Sequence, residues 1–166
     1  MSKFIIIFSV IISYYTFSQD WYKQISEEAN CSVEFPDKPS SIEITDQTDY
    51  KKIIKYFYSL NRRNTDYTLN IYFLKSEPQD IKTFLSDKIN KILKDFNGIK
   101  KDLLELYIDN VFGYEMDIEL NNEFGMRVRV FYYEKKFYEL IVRMPTERIN
   151  TSDINNFMNS FKINVK

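Results

Sequence analysis

The period-two stretch from Tyr114 to Met144 limits the fold more than any other part of the chain. Apolar and polar residues alternate there, and in a strand alternation sends successive side chains to opposite faces of a sheet. A five-residue loop at Asn121–Gly125 sets Leu120 opposite Met126, Ile118 opposite Val128, Met116 opposite Val130 and Tyr114 opposite Tyr132. On the other face Glu119 then meets Arg127 and Asp117 meets Arg129. Cross-strand pairs of opposite charge contribute roughly 0.2–1 kcal/mol each. A one-residue slip would turn arginine toward the core. A three-residue loop at Glu134-Lys135-Lys136 continues the apolar face, pairing Tyr132 with Tyr138, Val130 with Leu140, Val128 with Val142 and Met126 with Met144. A two-residue loop is expected to set Val128 against Arg143 and break that face. Two consecutive antiparallel hairpins follow from this reading.

The remaining elements fit an antiparallel α+β domain. Residues 21–25, 31–35, 41–47, 50–60 and 65–74 are strand candidates, rich in Ile, Tyr and Phe. Pro36 and Pro39 stop the second, because proline fixes φ and removes a donor. Residues 76–96 form the clearest helix, with Ile81, Phe84, Leu85, Ile89, Ile92, Leu93 and Phe96 at three- and four-residue steps. Ser76 with Gln79 fits a capping box, Pro78 fits the first turn, and Gly98 lies where a C-cap is expected. A second helix at 152–162 turns Ile154, Phe157, Met158 and Phe161 inward. The expected architecture is a meander of about six to eight strands with helices packed on it.

Residues 1–18 have the layout of a secretory signal peptide. Lys3 precedes an apolar run from Phe4 to Ile12, and Thr16-Phe17-Ser18 closes it with small residues at alternate positions. Cleavage is expected between Ser18 and Gln19, leaving one domain over 19–166. The run falls short of the roughly 20 apolar residues of a spanning helix, so no stable transmembrane span is expected in the mature protein. An uncleaved N-terminal anchor is the alternative. Loss of Lys3 with the leader takes the formal charge from −1 to −2. That balance offers nucleic acid no basic footprint. One cysteine, Cys31, excludes an internal disulfide, and its strand-like neighbours suit a small buried hydrophobe.

Four segments carry a family resemblance: Cys31-Ser-Val-Glu-Phe-Pro-Asp-Lys-Pro39, the long helix from Ser76, Lys136-Phe-Tyr-Glu-Leu-Ile-Val142, and Phe157-Met-Asn-Ser-Phe161. Together they resemble the PsbP-like superfamily, including its DcrB-like bacterial members and the Mog group. The resemblance implies a PsbP-like α/β/α sandwich and an exported bacterial protein. Its members include photosystem accessory factors and small-GTPase binders. No functional motif of the family can be matched here, so the resemblance assigns no catalytic or ligand residue.

Histidine is absent, which removes the Ser-His and Cys-His nucleophile systems and the commonest transition-metal ligand. With one Cys, no zinc ligand set is available. The three glycines, at 98, 113 and 125, are too dispersed for a phosphate-cradling loop. No catalytic residue, cofactor or metal is assigned. Phe131, Tyr133 and Phe137 fall on one face near the last hairpin. They are core if a helix covers that face and a patch for a protein or glycan partner if none does. The expected function is a non-enzymatic accessory or binding protein of the bacterial envelope, periplasm or extracellular fraction. The alternative is a small His-independent hydrolase with paired carboxylates, for which Asp102 and Glu105 are nominal candidates.

Overall fold

The computed structural model describes residues 21–46 and 53–164; the leader and its cleavage point lie outside the described residues. Alternating apolar segments form β1 (Tyr22–Ser26), β2 (Cys31–Phe35), β3 (Ser40–Asp46), β4 (Ile53–Arg62) and β5 (Thr65–Phe73). Helix α1 (Ile81–Asp95) follows, then β6 (Ile99–Ile108), β7 (Val111–Glu119), β8 (Phe124–Tyr133) and β9 (Lys136–Pro145). Helix α2 (Ser152–Ser160) and the two-residue β10 (Lys162–Ile163) close the described chain. Seven strands make one antiparallel sheet in the order β3-β4-β5-β9-β8-β7-β6. Two meanders, β3 to β5 and β6 to β9, are thus joined side by side through β5 and β9. The remaining three strands form a small sheet, β1-β2-β10.

Each face of the large sheet builds its own core. On one face α1 lays Leu85, Ile89 and Ile92 against Met116, Ile118, Met126, Val128 and Val130. On the other, α2 and the small sheet bring Phe157, Met158, Phe161, Val33 and Phe35 against Tyr67, Leu69, Tyr138, Leu140 and Val142. All four inward residues expected for α2 are buried. The α+β expectation holds, with helices on both faces of an antiparallel sheet.

Helix α1 is shorter than the sequence reading gives it, and it is capped differently. Asp80 is the N-cap: its carboxylate accepts from the Lys82 and Thr83 amides at 2.8 and 3.4 Å, and from the Thr83 hydroxyl at 3.0 Å. Those hydrogen bonds hold the carboxyl below the usual aspartate range. Ser76 and Pro78 stand ahead of the helix, because Pro78 biases Glu77 toward extended backbone. At the other end Asn97, at φ 50°, takes the left-handed position, and the Gly98 amide reaches Leu93 O at 3.0 Å. Gly98 serves close packing: a Cβ there would lie 2.3 Å from Ile118 Cγ2.

Both hairpin registers differ from the sequence reading. Across β7 and β8, Ile118 faces Met126, Asp117 faces Arg127, Met116 faces Val128 and Glu115 faces Arg129. This is a shift of two residues, which leaves every side chain on its expected face and changes the partners. The five-residue connection therefore runs from Leu120 to Phe124, where Asn121 Oδ1 accepts from the Glu123 and Phe124 amides at 2.9 and 2.7 Å.

The β8–β9 connection has two residues, Glu134 and Lys135, both left-handed at φ 46° and 60°. Paired positive φ is the geometry of a type I′ turn, whose twist matches the strands it joins. Two contacts hold it: the Lys135 amide donates to the Tyr132 hydroxyl at 3.1 Å, and Lys135 O accepts from the Leu74 amide at 2.6 Å. Tyr132 then faces Phe137, Val130 faces Glu139 and Val128 faces Ile141. This odd shift exchanges the two faces of β9. Phe137, Glu139 and Ile141 lie on the α1 side, while Tyr138, Leu140 and Val142 lie on the α2 side.

Candidate functional site

The shift in β9 creates a buried polar pair on the α1 face. Val130 and Asn70 flank Glu139 on the neighbouring strands, since β9 pairs with β8 on one side and β5 on the other. The Asn70 amide donates from Nδ2 to Glu139 Oε1 at 2.7 Å, with both residues more than nine-tenths buried. Asn70 Oδ1 has no hydrogen-bond partner among the described residues. A buried acceptor without a donor is rare enough in folded proteins to mark a place of interest.

A cleft opens beside this pair because α1 packs on β7 and β8 and leaves the β5 side of the face bare. Its volume is about 360 Å³, within the range of roughly 300–1,000 Å³ usual for small-molecule sites. Tyr72, Leu74, Phe137 and Ile92 supply apolar wall, and Glu139 lies among them. Lys88, Lys91 and Asp95 come from α1 at three- and four-residue steps, so they line one side together. Tyr72 and Phe137 stack at 5.5 Å between ring centroids. Phe96, at the end of α1, also lines a second cleft of about 390 Å³ that runs past Asn70 and Thr68 toward Arg143. The two clefts share Phe96 and lie along the same face of the sheet.

Burial pushes the Glu139 carboxyl above the ordinary glutamate range; Asn70, Lys88 and Lys91 pull against that and Asp95 adds to it. A carboxyl with a raised folded-state pKa favours folding while protonated. That contribution is complete below the ordinary value of about 4.3 and is lost as pH rises through the folded value. Glu139→Gln keeps the shape and removes the titration. The variant is expected to match the parent at pH 4 and to exceed it at pH 8, where the parent must hold an ionised carboxylate in the buried site. Urea denaturation at both pH values checks this; a parent that gains on the variant as pH rises contradicts it.

Of the residues named from sequence, Phe137 lines this cleft and the others lie elsewhere. Phe131 is fully buried on the α2 side, stacked on Phe161 at 5.5 Å, and Phe137 is buried on the α1 side. The two-residue turn places them on opposite faces, and Tyr133 is half-buried beside the α2-side core. The three do not form an exposed patch. Asp102 and Glu105 sit on the edge strand β6, facing Asp117 and Tyr114 and hence opposite sides of the sheet. Asp102 accepts from its neighbour's amide, Leu103 N, at 2.8 Å, and Glu105 pairs with Lys82 at 3.1 Å. Cys31 is fully buried, and burial pushes its thiol up to about 12, which suppresses the reactive thiolate. Glu139 escaped sequence reasoning although a signal existed: it is a lone charge inside Phe137-Tyr-Glu-Leu-Ile-Val142.

Among the described residues no helix is long and apolar enough to cross a membrane. No group of three or more Cys, Asp or Glu side chains among them could hold a metal ion.

No protein-family model matches the chain. No curated protein matches it either. Among solved structures, the chain is similar to the solution structure of cyanobacterial PsbP (CyanoP) from Synechocystis, with a TM-score of 0.62 and 10% sequence identity. The match covers 87% of this chain and 93% of that one. At that identity the likeness establishes architecture: the chain has a PsbP-like fold.

Proposed function

We propose that the protein is an exported, non-enzymatic binding protein of the bacterial envelope or secreted fraction, holding a small amphipathic ligand in the cleft beside α1. The leader-like segment Met1–Ser18 supports export. The observation that carries the binding role is the Asn70–Glu139 pair, buried at the side of an apolar cleft that no helix covers. Binding sites combine apolar walls with a few placed polar groups, and this cleft has that composition. With no histidine in the chain and Cys31 sealed in the core, no activated nucleophile of the Ser-His or Cys-His kind is at hand.

The test uses the neutral fluorescent probe N-phenyl-1-naphthylamine. Its emission should rise on binding the parent protein, and Leu74→Trp, which fills the cleft, should weaken binding at least tenfold with an unchanged melting profile. Equal binding by parent and variant would remove the cleft from the proposal. A paired-carboxylate hydrolase is the second reading, because Glu139 and Asp95 line the same cleft and the first has a raised pKa. Turnover of a polysaccharide or ester that Glu139→Gln abolishes would favour this second reading.

A further inference from the structure

Resting on the binding role of the cleft, we infer that its ligand is an anionic amphiphile, an unbranched acyl chain ending in a carboxylate, with the charged end at Lys88 and Lys91 and the chain along the groove past Phe96.

The charge of the cleft points to an anion. Lys88 makes no ion pair among the described residues; its ammonium lies 5.1 Å from the Phe84 ring centre and 5.6 Å from that of Phe137. It is a cation held over aromatic faces at the cleft wall, close enough to Glu139 to favour that carboxyl's ionised form. Lys91 pairs with Asp95, but both side chains are more than half exposed, and solvent screens such pairs to little net attraction. A ligand carboxylate can therefore recruit Lys91 at small cost. Glu139, buried and bonded to Asn70, lies among the apolar wall residues and opposes an anion only when ionised. The lining pairs two ammonium groups with two carboxyls, and what favours an anion is that Lys88 has no ion-pair partner among the described residues while Asp95 already has Lys91.

The shape points to a chain. The two clefts share Phe96 and lie along one sheet face, with Tyr72 and Phe137 as apolar floor of the first, and Met126 and Ile141 in the second beside the polar Thr68, Asn70 and Arg143. A compact aromatic ligand would leave the second cleft unused. An unbranched tail can follow both.

Titration calorimetry with decanoate, decanol and decylammonium compares one chain with three headgroups. Decanoate should bind at least tenfold tighter than decanol, and decylammonium more weakly than either. Lys88→Gln/Lys91→Gln should lose at least tenfold for decanoate and keep its decanol affinity, which also reports that the variant is folded. Decanol or decylammonium binding as tightly as decanoate would overturn the anion assignment and leave the cleft as a binding site. Absence of binding by all three would overturn both. Flotation with phosphatidylglycerol vesicles in the absence of decanoate binding would move the chemistry to a membrane surface and overturn the assignment as well.

Discussion

Phe157→Ala is expected to lower the free energy of unfolding by about 3–5 kcal/mol, the range for deleting a buried aromatic ring. Phe157 has no exposed surface and lies on α2, where three elements meet. Its ring contacts Phe35 of β2 at 5.0 Å and Tyr67 of β5 at 5.3 Å. Neither partner can follow the shortened side chain. Phe35 is held in the small sheet by pairing with Tyr22, and Tyr67 is fixed between β4 and β9. The cavity would stay open, and open cavities add to the lost transfer energy. Because whole domains are stable by about 5–15 kcal/mol, the variant should approach the unfolding threshold at 37 °C. Urea denaturation followed by far-UV circular dichroism measures this. A loss below 1 kcal/mol would mean that α2 is not docked through this ring.

Arg129→Ala is the second large effect, with an expected loss of about 3 kcal/mol, as for removing one partner of a buried ion pair. The Arg129 and Glu115 side chains are 14% and 15% exposed, so Glu115 would remain as a largely buried charge without its cation. Arg129 also donates from Nη1 to Met158 O at 2.7 Å and from Nη2 to Asn159 Oδ1 at 3.0 Å, tying the end of α2 to the sheet. The neighbouring pair repeats the device: Arg127 reaches both oxygens of Asp117 at 2.7 and 2.9 Å, and Asn155 of α2 at 3.1 Å. A double-mutant cycle with Glu115→Gln should return a coupling well above the 0.2–1 kcal/mol of an open cross-strand pair. A coupling inside that range would place the pair effectively in water.

These two arginines show how far sequence reasoning reaches. Opposite charges across the β7–β8 hairpin are legible from alternation, as is their placement on one face. Which acid meets which arginine is not legible, because a shift of two residues preserves the alternation and the signs alike. Asn121 decides it by bonding the Glu123 and Phe124 amides, which closes the loop one residue early. The β8–β9 turn failed for a different reason. Glu-Lys carries none of the Asn-Gly or Asp-Gly chemistry that marks a type I′ turn. Its left-handed pair is held by Tyr132 and Leu74, partners outside the turn. Strand β6 also lacks the usual pattern. Leu103 and Leu104 are adjacent apolar residues on an exposed edge, and the register breaks between Lys100 and Asp102.

The candidate site inherits that turn error. With a three-residue loop, Glu139 falls on the face of Phe131; with the observed turn it lies beside Asn70, facing α1. One residue of loop length thus separates an unremarkable charge from a buried pair in a cleft. The supposed patch of Phe131, Tyr133 and Phe137 dissolves for the same reason.

The sequence by itself determined most of the elements, the inward residues of α2, the Leu85, Ile89 and Ile92 stripe of α1 and the α+β class, because periodicities of 3.6 and two are local properties of the chain. Strand β6 was not legible, and Ile81 and Phe96 of the expected α1 stripe are exposed. Tertiary structure alone decided the pairing of β5 with β9, the addition of β10 to β2, and the meeting of Asn70 with Glu139. Those contacts join residues far apart in the chain, and their choice depends on turn geometry and on the packing of both sheet faces at once, which no local window contains.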